Sequence, residues 1–174
     1  MGEEVKMNDW KLDRVRYPDG RIPKVVKYYR KVQSLNPKSP VWLFYKILFT
    51  LEKRNKMIEL SEKTIIGAGL YLGHHYCITI NAEARMGKNI NLSKGVTIGQ
   101  ENRGKRKGAP TIGNNVWIGV NSTVVGKISI GDDVLIAPNA YVNCDIPSHS
   151  VVIGNPCIIV HKENATQGYL ENLV

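Results

Sequence analysis

Residues 112–142 read IGNNVWIGVNSTVVGKISIGDDVLIAPNAYV, and an aliphatic side chain returns at every sixth position: Ile112, Ile118, Val124, Ile130, Ile136 and Val142. A helix shows its apolar face about every 3.6 residues and a half-buried strand every second one, so a period of six needs a larger repeating unit. The pattern predicts a solenoid of hexapeptides. Val116, Ile128, Val134 and Ala140 form a second series two residues ahead of the first, with Ser122 its one polar member. A small residue often follows the main-series position, as in Ile112-Gly113, Ile118-Gly119 and Ile136-Ala137.

The period continues upstream in two phases. Ile66, Leu72 and Ile78 share one phase, and Ile80, Met86, Leu92 and Ile98 share another, so a slip of two residues between 78 and 80 marks a corner or bulge. Three strands of one hexapeptide each make a triangular coil with the repeating aliphatic residue inside, and successive coils stack as parallel strands about 4.8 Å apart. Roughly five coils fit between residues 58 and 160 on that repeat. The expected fold is an all-β solenoid of parallel strands whose core is a stack of aliphatic side chains.

A chain of 174 residues with 43% hydrophobic content supports one core. The expected organisation is a basic helical appendage over residues 1–57, the solenoid over 58–160 with a loop at 100–110, and a polar tail over 161–174. Cys77, Cys144 and Cys157 are odd in number and fit no metal-ligand spacing, so neither a disulfide framework nor a metal site is expected. Met1-Gly2-Glu3-Glu4 lacks the basic-then-apolar pattern of a signal peptide, and no run reaches the roughly 18 apolar residues of a membrane span, which predicts a cytoplasmic protein.

The net charge of +9 is uneven: residues 1–63 carry 15 Lys+Arg against 8 Asp+Glu, and residues 64–174 carry 9 against 7. A solvated helix surface accounts for such a surplus, and no nucleic-acid motif accompanies it. Residues 1–20 end in the turn signal Tyr17-Pro18-Asp19-Gly20 and read as irregular or loosely packed. Residues 23–33 and 41–57 read as helices. The second is apolar on most faces, and packing on the first coil or on a partner subunit is favoured over a peripheral membrane contact, to which Lys46, Lys53, Arg54 and Lys56 lend some support.

The hexapeptide pattern, together with Ile66-Gly67-Ala68-Gly69-Leu70-Tyr71-Leu72-Gly73-His74, Val96-Thr97-Ile98-Gly99, Ala109-Pro110-Thr111-Ile112-Gly113 and Val151-Val152-Ile153-Gly154-Asn155-Pro156, resembles the left-handed β-helix acyltransferases. The nearest branch is that of the serine acetyltransferases and their capsular polysaccharide O-acetyltransferase relatives. The resemblance implies a homotrimer that binds acetyl-CoA in a groove between neighbouring solenoids and needs no metal.

The resemblance places the catalytic histidine at His74, with the adjacent His75 as the competing base. Imidazole, with a pKa near 6.5, can take the proton of a hydroxyl as it attacks a thioester. Fifteen residues earlier, where serine acetyltransferases carry an aspartate that orients the histidine, stands Glu59, a carboxylate able to fix the tautomer. By the same alignment the pantetheine arm is held by backbone groups of Gly99, Gln100, Gly119, Val120 and Ala137. The phosphates of CoA call for cations, for which Arg103, Lys105, Arg106 and Lys107 in the loop, with Lys127 and Lys162, are candidates by sign alone.

Two departures bear on the acceptor. Where serine acetyltransferases carry an arginine–histidine pair for the amino acid, this chain has Gly108 and Ala109, and their long helical N-terminal domain is replaced by about 57 residues. Both point away from free serine toward a hydroxyl of a sugar or glycan precursor, with L-serine O-acetylation as the alternative. A γ-class carbonic anhydrase is disfavoured because Val120 follows Ile118-Gly119, where that class commonly places a ligand. The reading from another class is a non-catalytic trimeric scaffold.

Overall fold

The structure is a computed structural model that describes residues 9–174; Met1-Gly2-Glu3-Glu4, read above for a leader pattern, lies outside the described residues. Three helices come first, α1 (Asp9–Val15), α2 (Lys24–Ser34) and α3 (Pro40–Lys56). The chain then winds through coils of three short strands. The first holds β1 (Ile65–Ile66), β2 (Tyr71–Gly73) and β3 (Thr79–Ile80), and the second holds β4 (Arg85–Met86), β5 (Ile90–Ser93) and β6 (Thr97–Gly99). The third holds β7 (Thr111–Ile112), β8 (Val116–Ile118) and β9 (Thr123–Val125), and the fourth holds β10 (Ser129–Ile130), β11 (Val134–Ile136) and β12 (Tyr141–Val142).

Each coil gives one strand to each of three sheets, ordered β1-β4-β7-β10, β2-β5-β8-β11 and β3-β6-β9-β12 with all these pairings parallel. The six-residue repeat is therefore the length of one side. Ile112 pairs with Ile130, Ile118 with Ile136, and Val124 with Val142, so each main-series residue stacks on its counterpart one coil away, and all are buried. Burial of each such side chain contributes about 1.5–3 kcal/mol. Ser122, the odd member of the second series, is buried because its hydroxyl donates to the Ala137 carbonyl at 2.8 Å. The glycines after β4 and β7 have a steric cause: a Cβ on Gly87 would meet the Gly113 carbonyl oxygen at 2.7 Å.

Four complete coils stand where about five were expected. At the front the strand through Glu59, bridged to Thr79, is preceded by α3 rather than by another side. At the back Ile146 bridges Ile130, β13 (Ser150–Ile153) extends the second sheet, and β14 (Ile158–His161) folds back antiparallel and ends the repeat.

Residues 9–20 are not loosely packed as expected; they seal the open edge of the first coil. Asp13, fully buried, accepts from Gly69 N and Leu70 N at 2.9 Å each and from Arg30 Nε at 2.8 Å. Arg30 donates onward to the carbonyls of Ile66 (2.6 Å) and Gly67 (2.7 Å), Tyr29 donates to Thr64 O (2.6 Å), and Tyr17 Oη accepts from Leu72 N (3.0 Å). These are the donors and acceptors that a missing coil would have satisfied.

Helix α3 starts at Ser39, whose hydroxyl accepts from Trp42 N, and stops where Met57 turns left-handed at φ 53°. Phe49 is buried against Tyr29, and Trp42 and Tyr45 are partly buried on the same side. The opposite face, Leu43, Phe44, Ile47 and Leu51, stays more than half exposed. No helix among the described residues is long and apolar enough to cross a membrane.

The tail is pinned along the second sheet. Asp133 accepts from Ala165 N, Thr166 N and Thr166 Oγ1 and pairs with His149 Nδ1 at 3.0 Å, while Tyr169 sets an edge on Trp117. Burial pushes the Asp133 carboxyl up, but hydrogen bonds from Thr166, His149 and Ala165 outweigh it and hold the group below the usual range. The bond to Asp133 raises His149, with Glu163 adding to it and desolvation opposing. A depressed carboxylate stabilises above its unfolded pKa, near 3.9, and loses that support as pH falls through its lower folded value. A raised imidazole stabilises fully below its unfolded pKa, near 6.5, and loses that support as pH rises through its higher folded value. Tail docking, followed by Trp117 emission and by limited proteolysis, is therefore expected to be strongest between these limits and weaker on both sides.

Candidate active site

The slip of two residues resolves into one enlarged corner. Leu92 to Ile98, Ile118 to Val124 and Ile136 to Val142 are six residues apart, whereas Leu72 to Ile80 is eight. In the later corners Gly95, Asn121 and Asn139 take positive φ two residues before the next strand, and Cys77, at φ 55°, is their counterpart. Tyr76 then matches Lys94, Val120 and Pro138, so the two additional residues are His74 and His75.

His74 also takes positive φ, at 52°, and accepts from Tyr76 N at its carbonyl (2.7 Å). Its side chain is exposed at the start of the third sheet. His75 stacks on Tyr76 and is half-buried; desolvation lowers its pKa, with Lys56 adding to the effect. The last turn of α3 holds this corner from outside, through Cys77 N donating to Lys56 O (3.0 Å) and Lys56 Nζ donating to Tyr76 Oη (2.6 Å). Positive φ is shared by corner residues throughout the coil, so what sets this corner apart is its two additional residues rather than its backbone conformation.

Glu59 lies on the strand next to β3, its backbone bonded to Ile78 and Ile80 at 2.8 Å each. Its exposed side chain lines an open cavity of about 660 Å³ between the end of α3 and the first coil, along with Lys53, Arg54, Ser61 and Asn81. No hydrogen bond joins Glu59 and His74 among the described residues. Asn81 Nδ2 donates to Gln100 Oε1 at 3.3 Å, which ties the cavity to the start of the loop.

Of the expected donor-binding positions, Gly119, Val120 and Ala137 stack in the same corner column as the histidines, two and three coils further on, while Gly99 and Gln100 lie at the far end of the third sheet. Gly119 N and Ala137 N already donate to Ile136 O and Val152 O, both at 2.8 Å, so these two can meet a ligand through close approach or carbonyl contact only. Val120 N and Gln100 N have no partner among the described residues and remain available as donors. The loop closes on itself through paired bonds between Glu101 and Gly108; Arg106 is bonded to Glu101 at 3.1 Å, and Arg103 and Lys105 are exposed and free of ion pairs among the described residues. Lys107 is likewise exposed and free of an ion pair among the described residues, so of the four loop cations Arg106 alone is engaged there. No group of three or more His, Cys, Asp or Glu that suits a metal occurs among the described residues.

Lys53, Arg54, Ser61 and Asn81 were not among the residues singled out for the site. Lys53 and Arg54 read from the sequence as cations flanking an apolar helix, in support of a peripheral membrane contact, and the return of the chain at Met57 brings them over the first coil.

A model of the bacterial transferase hexapeptide (six repeats) matches residues 109–144. The serine acetyltransferase of Helicobacter pylori is 32% identical over 135 residues, 78% of each chain. The chain belongs to the serine acetyltransferase family. It is an acyltransferase by that membership. The serine acetyltransferase of Staphylococcus xylosus is 34% identical over 111 residues, 64% of this chain and 51% of its own. The solved serine acetyltransferase of Neisseria gonorrhoeae superposes with a TM-score of 0.70 at 25% identity, covering 88% of this chain and 65% of the other. That of Brucella abortus gives 0.75 at 21% identity, which bears on the fold alone. On the acceptor these relatives favour the alternative, serine, over the sugar hydroxyl expected first.

Proposed function

We propose that this protein is an acetyl-CoA-dependent O-acetyltransferase, a left-handed β-helix working as a homotrimer, in which His74 is the general base. The observation that carries the reading is the inserted corner, which adds two histidines where the matching corners of the later coils have none and leaves His74 exposed. His74 takes the proton of the acceptor hydroxyl as its oxygen attacks the thioester carbonyl. The carbon–sulfur bond then breaks, and the same imidazole returns the proton to the departing CoA sulfur. The free N–H of Val120 is suited to the donor's amide arm, and Arg103 and Lys105 to its phosphates. Backbone N–H groups can stabilise the tetrahedral oxyanion. Glu59 is assigned as a positioning residue for His74 on the family alignment, with its bridge to Thr79 setting it beside the strand that follows the histidine corner.

The first acceptor reading is L-serine, supported by the names of the relatives. A second, a sugar hydroxyl, is favoured by Gly108 and Ala109: Gly108 sits at φ 131°, and a Cβ there would meet Lys127 Cβ at 3.2 Å, so an arginine at that position is excluded without rearrangement. Thiol release from acetyl-CoA with L-serine and with a panel of neutral and acidic sugars separates them. Release with serine at ordinary millimolar concentration supports the first reading, release with sugars alone supports the second, and silence across the panel together with no CoA binding by calorimetry leaves a non-catalytic scaffold.

A further inference from the structure

Cys144 and Cys157 stand 13 residues apart, in no spacing that marks them as partners, yet the fold brings their sulfurs to 3.7 Å. Cys144 lies two residues past Val142, in the corner column that Gly126 occupies one coil earlier and Gln100 two coils earlier. Cys157 ends the turn of the β13–β14 hairpin, which reaches back to β12 where Tyr141 N donates to Gly154 O at 3.1 Å. Cys144 is exposed, and Cys157 is partly buried against the aliphatic core. Cys77, the third cysteine, belongs to the histidine corner three coils away.

Strand β14 buries none of its side chains: Ile158, Ile159, Val160 and His161 are all exposed. Its hold on the solenoid is the backbone ladder to β13, with Lys162 N donating to His149 O at 2.8 Å just beyond it. A bond from Cys157 to Cys144 ties the start of that strand to the last coil. The two sulfurs, at 3.7 Å, are about 1.7 Å short of disulfide length, a gap that small turns of both side chains about their Cα–Cβ bonds can close.

We propose that Cys144 and Cys157 form a reversible dithiol–disulfide site which, when oxidised by a hydroperoxide, fastens the closing hairpin to the last coil. The thiolate of the exposed Cys144 attacks one oxygen of hydrogen peroxide, the O–O bond breaks, and a sulfenic acid and one water result. The Cys157 thiolate then attacks that sulfur, the S–S bond forms, and the second oxygen leaves as water. Two thiols give up two electrons in all, and the peroxide is reduced to two waters. Desolvation pushes the Cys144 thiol up, with Cys157 adding to the effect and Arg106 opposing it, so the pair rests as thiols near neutral pH and its oxidation quickens as pH rises. A pair of this kind suits a transient, oxidant-responsive bond rather than a permanent brace. The site is independent of the acyl-transfer reading.

The test treats the full-length protein with hydrogen peroxide, blocks remaining thiols in denaturant, and reads the tryptic peptide 128–162, which holds both cysteines and no internal Lys or Arg. The wild-type peptide is expected two hydrogens lighter and unblocked, and the melting temperature about 5–10 °C higher, both reversed by dithiothreitol. Cys144→Ser and Cys157→Ser are each expected to lose the lighter peptide and the rise in melting temperature. Cys144 carried to the sulfinic acid beside a blocked Cys157, a disulfide between two chains, or two blocked thiols after treatment overturns the pairing. A linked peptide with a melting temperature moved by less than about 2 °C overturns the fastening.

Discussion

Replacing Asp13 with alanine is expected to lower the stability of the folded chain by about 3–5 kcal/mol, the cost of leaving a buried charge without its partner. The carboxylate is fully buried and receives bonds from Gly69 N, Leu70 N and two nitrogens of Arg30. Its removal leaves two backbone donors unpaired at the edge of the first coil and leaves Arg30, whose pKa burial would lower and Asp13 holds up, with Asp9 at 3.5 Å as its remaining carboxylate. The midpoint of urea unfolding checks this, and for a chain of this size each kcal/mol moves the melting temperature by about 2–4 °C. The double variant Asp13→Ala/Arg30→Met is expected to recover part of the loss, since it removes the buried cation. A loss below about 1 kcal/mol would show that the helices are an ornament on the coil rather than its end cap.

The second large effect is catalytic. His74→Ala is expected to lower kcat by about 10²- to 10⁴-fold, the usual contribution of a general base. Stability is expected to stay close to wild type, because the side chain is exposed and makes no hydrogen bond among the described residues. His75→Ala serves as the control: its ring stacks on Tyr76, so its removal is expected to disturb packing while leaving most of the rate. Glu59→Gln is expected to reduce kcat less than His74→Ala and to alter the pH profile of kcat, which a purely structural carboxylate would leave unmoved. A loss in His75→Ala equal to that in His74→Ala would exchange the assignments of the two histidines.

The coil was legible because its period is a property of the letters: one aliphatic residue per side, in register, needs no knowledge of what packs against it. The slip between Ile78 and Ile80 marks a corner or bulge in the sequence, and the structure puts the two additional residues a little earlier, at His74 and His75. The end cap was not legible. Asp13, Tyr17 and Arg30 act on backbone groups roughly 35 to 57 residues away, and nothing in a short polar stretch marks which carboxylate will meet which exposed strand edge. The cavity was hidden for the same reason: Lys53 and Arg54 look like helix-end charges until Met57 reverses the chain above Glu59. The occupied N–H groups of Gly119 and Ala137 follow from coil stacking, which the spacing implies but does not resolve atom by atom.

The most direct test of the mechanism is a single turnover with acetyl-labelled acetyl-CoA, enzyme in excess and an accepted alcohol present, quenched in acid and read by mass spectrometry of protein and acceptor. Direct transfer predicts label moving from CoA to the acceptor oxygen without appearing on the protein, and remaining on CoA in His74→Ala. Label transiently bound to the protein, at Cys77 above all, would contradict the assignment of His74 as the base for a one-step transfer.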